Sequence, residues 1–194
     1  MIAVEKMERI LAGKLKEKRF LHSLGVQKTA IQLARKYGAC EVKAGVAGLV
    51  HDCAKNLSNE ELLNYAERFD IILDDVTKSE VQLLHGKVGA RIAQIEFEIE
   101  DEEILDAIRY HTTGRNHMTL LDKVIYLADF IEPSRNFNEI DLLRTAALSN
   151  IDKATLMAIE MTIAYVIGKR SLLHPDTVYA RNFLLQQMRG MGQE

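Results

Sequence analysis

The sequence predicts an all-α fold carried by a single domain over residues 1–194. Three observations predict it. Proline occurs only at Pro133 and Pro175, while Leu, Ala, Ile, Lys and Glu, which favour helices, are abundant. No run of alternating β-branched residues bounded by turn signals is present, so a sheet is not expected. No internal repeat, low-complexity tract or Gly/Ser linker divides the chain, and 194 residues with 47% apolar content suffice for one sizeable core.

Residues near 2–17 place Met7, Ile10 and Leu11 on one side of a first helix. A second runs to about Tyr37, where Gly38 supplies a C-terminal stop. The apolar segment "AGVAGLV" then ends at His51 and Asp52. Ser58, followed three residues later by Glu61, forms a capping box for the next helix. A helix start is expected at "GKVGARIAQI", just after His85. Asp101 caps "EEILDAIRYH", whose Leu105 and Ile108 face inward. "LLDKVIYLADFIEP" is strongly helical and stops at Pro133. Asn138 is expected to cap "EIDLLRTAAL". "DKATLMAIEMTIAYVIGKR" is long and apolar and is expected to be a central helix, with Met157 and Met161 in a core stripe. Pro175 suits the first turn of a last helix through "TVYARNFLLQQM".

Composition narrows the functional classes. A formal charge of -3 argues against broad binding to a nucleic-acid backbone, though not against local phosphate binding. Cys40 and Cys53 form neither a CxxC pair nor a disulfide framework, which suits a reducing, intracellular setting. The opening stretch mixes charges through its apolar residues and lacks a signal-peptide pattern. No apolar run approaches a membrane span. A cytoplasmic protein with no nucleic-acid or membrane partner is expected.

Chemistry is concentrated in polar residues at inward-facing positions. His22 lies one turn before Val26, and His51 and Asp52 close an apolar run. His111 follows Ile108 by three positions and shares its face, and Asp129 interrupts "VIYLADFI". Burying so many ionisable groups is costly unless they are partnered. Metal coordination is one way to satisfy them, because imidazole and carboxylate together suit a first-row divalent ion. His51 and Asp52 point about 100° apart on a helix and can grip one ion between them. Two further ligands from other helices, with water completing the shell, would leave a catalytic site open. A water on such an ion can attack as hydroxide near neutral pH. The alternative is a set of hydrogen-bonded core residues around an isolated His-Asp dipeptide, a motif of low specificity.

The order His22, His51-Asp52, Asp129 resembles the HD superfamily of metal-dependent phosphohydrolases. The chain is similar, more closely, to the bacterial HD-domain hydrolases that split diadenosine tetraphosphate symmetrically into two ADP. The stretches that carry the resemblance are "HSLGV" from His22, "AGLVHDCAK" from Ala47, "HGKVGA" from His85, "AIRYHTTG" from Ala107, "LDKVIYLADFIEPSR" from Leu121 and "HPDTVYARN" from His174. "LADFIEPSR" and "YHTTG" are far more specific than the dipeptide. Lys87 departs from the small residue or proline expected at its position.

The resemblance implies an all-helical HD-domain fold, a homodimer and a bound iron, with Mn, Co, Ni or Zn as other candidates and a second metal as a further option. It implies His22, His51, Asp52 and Asp129 as metal ligands, and Asp52, His85 and His111 as the catalytic set. Arg19, His85, Gly86, Lys87, Val88, His111, Arg135 and the loop Ser171, Leu172, Leu173, His174, Pro175, Asp176 would hold the nucleotide. Phosphate chemistry agrees with several of these: arginine forks onto phosphate oxygens, and a helix start beside His85 offers backbone N–H groups. Other assignments stay open. Lys55 is either a phosphate contact or a solvated charge, His85 and His111 either contact phosphate or hold a second metal, and His174 either contacts nucleotide or caps the last helix. His117 is expected in solvent. Asp122, seven residues before Asp129 on the same face, is a rival ligand. The rival functions are another HD-type nucleotide phosphohydrolase and a nucleotide sensor without turnover.

Overall fold

The computed structural model describes residues 1–190. Eleven helices follow one another, with one 3-10 turn at Val81–Leu83 and no strand among the described residues. They are α1 (Val4–Lys14), α2 (Glu17–Tyr37), α3 (Glu41–Val50), α4 (Asn59–Arg68), α5 (Asp75–Ser79), α6 (Leu84–Glu96), α7 (Glu102–Arg109), α8 (Leu120–Ile131), α9 (Ile140–Ser149), α10 (Ile151–Gly168) and α11 (Pro175–Gly190). No helix among them is long and apolar enough to cross a membrane.

Local signals set most of the ends. Gly38 takes φ 78, the left-handed conformation that glycine adopts freely, and closes α2 onto Ala34. Ser58 and Glu61 form both halves of a capping box on α4, and Asp101 accepts from the Glu103 N–H at the start of α7. α8 stops two residues short of Pro133, and α11 opens on Pro175.

Three expectations are corrected. The first helix stops at Lys14, and an extended Leu15–Lys16 step turns the chain into α2 while burying Leu15. Asn138 does not cap α9: the chain enters through Glu139 at φ 69, which takes the cap position with no side-chain acceptor. α10 is not the central helix. Its first half buries Ile151, Ala154, Thr155, Leu156, Ala158 and Ile159, but beyond that Tyr165 is 66% and Ile167 63% exposed. The central helix is α8, where Leu121, Val124, Ile125, Tyr126, Leu127 and Ala128 are all buried, and α2, α3, α7, α9 and α10 pack round it. Such all-round burial follows from a helix apolar on every face. α2 lies along α3 and α8, so residues from all three can meet at one point.

Candidate metal centre

Five segments deliver ionisable side chains to that point. His22 comes from α2, His51 and Asp52 from the turn after α3, His85 from the first turn of α6, His111 from the turn after α7, and Asp129 from the last turn of α8. His22 Nε2 lies 3.0 Å from Asp129 Oδ1 and 3.8 Å from Asp52 Oδ2. His51 Nε2 lies 3.4 Å from Asp52 Oδ2 and 3.9 Å from Asp129 Oδ1. The other oxygen of Asp52, Oδ1, faces His85 Nε2 at 3.4 Å and His111 Nε2 at 3.5 Å, and those two nitrogens are 3.1 Å apart.

The far side of each ring decides what its near side can do. His51 Nδ1 bonds the Gly48 carbonyl at 2.8 Å, His111 Nδ1 the Ile108 carbonyl at 2.7 Å, and His85 Nδ1 the Gln82 carbonyl. His22 Nδ1 bonds Glu132 Oε1 at 3.0 Å. Carbonyl and carboxylate oxygens only accept, so each Nδ1 carries the hydrogen and each neutral ring turns an Nε2 lone pair inward. Lone pairs and carboxylate oxygens 3–4 Å apart repel unless something positive lies between them. His22 Nε2 and His51 Nε2 are buried with no hydrogen-bond partner in the protein. A divalent cation fits this donor set: nitrogen and oxygen ligands of the right type, spaced for bonds of about 2 Å to a common ion.

The electrostatics agree. Burial alone would raise the Asp52 carboxyl, but the adjacent His51, with His111 and His85 facing its other oxygen, holds it well below the usual carboxylate range. Asp129 is likewise held low against burial by His22, His51 and Arg135. Both are anionic at neutral pH and ready to bind cations. Burial pushes His85 down to about 4, helped by the positive charge of Lys55 and opposed by Asp52.

Cations also line the rim. Arg19 Nη1 donates to Asp52 Oδ2 at 2.7 Å, and Arg135 donates to both the backbone and the carboxylate of Asp129. Lys55 is mostly buried, with Nζ 3.4 Å from both His85 nitrogens, and burial lowers its pKa. This places Lys55 at the centre. Asp122 is excluded from it by geometry. It caps α8 with Thr119 and pairs with Arg115 two turns away from Asp129.

The nucleotide-binding expectations divide. Arg19, His85, His111 and Arg135 surround the centre as described. Gly86, Lys87 and Val88 do not present side chains to it. Gly86 packs so closely on α7 that a Cβ would sit 2.6 Å from the Arg109 carbonyl, Lys87 reaches Asp74, and Val88 is in the core. In the 171–176 loop, Ser171 and Leu172 line a cavity beside His85, whereas His174 turns away. Its Nδ1 accepts from the Asp176 N–H at 3.1 Å, capping α11, and its Nε2 donates to Asp74 at 3.2 Å. Leu173 is half-buried, Pro175 is exposed and Asp176 follows the cap. His117 is exposed, as expected.

Two residues escaped the sequence reading. Glu132 is buried, bonded to His22 and to the backbone and hydroxyl of Ser134, and reaches so near Gly25 that a Cβ there would lie 2.6 Å from Oε2. Thr112 Oγ1 lies 3.3 Å from His85 Nε2 and 3.2 Å from His111 Nε2. Thr112 and Tyr165 both line two cavities flanking the centre, one of about 440 Å³ on the Asp129 side and one of about 480 Å³ on the His85 side.

Residues 19–134 match the HD domain, spanning the segments that meet here. The chain belongs to the HD-domain family. Two relatives named symmetrical bis(5'-nucleosyl)-tetraphosphatase resemble it over nearly their whole length. The one from Bacillus subtilis is 41% identical over 88% of this chain and 91% of its own. The one from Halalkalibacterium halodurans is 38% identical over 95% and 98%. A solved structure from Clostridium acetobutylicum, described as an HD superfamily hydrolase involved in NAD metabolism, superposes with a TM-score of 0.94 at 44% identity, covering 96% of this chain and 99% of that one. The all-α HD fold and the hydrolase class follow.

Proposed function

We propose that this HD-domain protein is a metal-dependent hydrolase that cleaves diadenosine tetraphosphate symmetrically into two ADP, acting as a single catalytic domain over its whole length. One observation carries the reading. Inward lone pairs and two carboxylates converge between two cavities of similar size, as a substrate with two like halves around a central polyphosphate requires. The names and close similarity of the relatives support it.

His22, His51, Asp52 and Asp129 would hold the cation. When bound, a divalent cation supplies a Lewis acid that neutralises phosphate charge and makes a water acidic enough to attack near neutral pH. The chain's own residues do the rest. Arg19 and Arg135, now paired with carboxylates, are within reach to fork onto phosphate oxygens once a cation satisfies those carboxylates. His85, lowered to about 4 by burial, faces the same space through Nε2 and stands where it would meet a phosphate oxygen. Lys55 adds a donor on the same side, and His111 faces it through Nε2. ADP is a fair leaving group, so stabilising charge outweighs acid catalysis. Incubation with the dinucleotide and separation of products tests the reaction: ADP alone is expected, and AMP plus ATP, or no turnover, overturns it.

Iron is the metal inferred from the family resemblance, although this donor set accepts Mn, Co, Ni or Zn. Asp52 Oδ1, His85 Nε2 and His111 Nε2 lie 3.1–3.5 Å from one another, a spacing that suits a second cation. Metal counting on purified protein separates one ion from two and identifies it. We infer further a cytoplasmic homodimer with no nucleic-acid or membrane partner, a reading that light scattering and fractionation test.

A further inference from the structure

We propose that the two halves of the dinucleotide are bound by chemically different pockets, and that the cavity walled by Phe130, Phe137 and Met161 is a purine subsite for one of its nucleosides. This rests on the hydrolysis reading above and assigns residues that reading leaves unused. The two cavities flank the centre and share Thr112 and Tyr165, but their walls differ. On the His85 side, the charged Lys55, Glu80 and Lys169 stand beside the apolar Leu83, Val166 and Leu172. On the Asp129 side, charge is confined to Asp129 and Arg135 at the metal end, and Phe130, Phe137, Met161 and Tyr165 supply most of the remaining wall, with Thr112 and Thr162 among them.

That second wall is pre-formed. Phe130 stacks on the buried Tyr126 ring at 5.5 Å, and Phe137 meets Phe130 edge-on at 6.2 Å. Thr162 donates to the Ala158 carbonyl at 3.0 Å, so the Tyr126 hydroxyl donates to Thr162 at 2.9 Å and locks the layer beneath. At about 440 Å³ the space lies within the range of small-molecule sites. A flat, uncharged aromatic group suits it, because rings and sulfur offer stacking and dispersion but no countercharge. The purine is the one such group in a dinucleoside polyphosphate, and Arg135 at the cavity mouth sits where the attached phosphates enter the centre. Tyr165, 66% exposed and shared by both cavities, is free to cover either nucleoside.

Two variants test this. Phe137→Ala removes one ring of the wall, and Phe137→Trp keeps an aromatic there while adding a fluorophore to a chain that has no tryptophan. For Phe137→Ala, KM for diadenosine tetraphosphate is expected to rise about tenfold with kcat and metal content nearly unchanged, as for lost stacking that binds ground and transition states alike. For Phe137→Trp, a dinucleotide with a non-hydrolysable methylene bridge is expected to quench the emission. Unchanged KM in the alanine variant overturns the subsite, as does a fall in kcat at constant KM or an unquenched tryptophan. Absence of turnover by the wild-type protein overturns the hydrolysis reading instead. If the alanine variant fails to fold, quenching in the tryptophan variant decides.

Discussion

Glu132 brings no atom to the centre, yet it orients a residue that does. By accepting from His22 Nδ1 it holds the ring in the tautomer that turns Nε2 inward, and as an anion it makes that nitrogen a stronger donor to a cation. Gly25 leaves the room for it. Glu132→Gln keeps the shape but loses the charge, and metal affinity measured by titration is expected to fall roughly 10–100-fold. Asp52 has the larger task, since both of its oxygens face imidazoles. Asp52→Ala is expected to lose bound metal and at least ~10³-fold in turnover, the scale of several kcal/mol of charge stabilisation. Asp52 was legible beside His51 because an acid at the end of an apolar run is conspicuous. Glu132 was not, because its only sequence signal is an acid before Pro133, where any exposed glutamate would fit.

At the scale of elements, the loop 171–176 is held by a helix one hundred residues earlier. Asp74 caps α5 through the Thr77 N–H at 2.8 Å and also accepts from His174 and Lys87. Burial would raise its carboxyl, but bonds from Thr77 and His174 hold it below the usual range. A depressed carboxylate stabilises the fold above its unfolded pKa of roughly 4 and loses that contribution as pH falls further. Asp74→Ala is therefore expected to cost about 1 kcal/mol of stability at pH 7 through the lost cap. Denaturant melts should show the gap from wild type narrowing below about pH 4. The same variant frees the loop from α5, and KM for the dinucleotide is expected to rise. No reading of residues 70–83 came from the sequence, because α5 has five residues and too short a run to show periodicity.

For the whole molecule, a centre tied together from five segments predicts that metal contributes to stability without being needed for the fold. The buried apolar cluster is continuous from Met7 to Leu184 and does not depend on the centre. Chelation is expected to lower the thermal midpoint by roughly 10 °C, the effect of a ligand present at about a thousandfold its dissociation constant on a chain of this size, with far-ultraviolet circular dichroism retained. Loss of helical signal on chelation would show that the core cannot hold the fold alone. The sequence by itself determined the helical class, most helix ends and the candidate residues of the centre, because caps, prolines and apolar periodicity act within one or two turns and the ionisable residues interrupt that pattern visibly. Only the tertiary structure decided that α8 rather than α10 is central, that Asp122 caps while Asp129 serves the site, that Glu132 and Thr112 support it, and that Met161 walls a cavity. Most of those depend on which faces meet far apart along the chain, as His22 and Glu132 do across 110 residues, and packing, not local pattern, sets that.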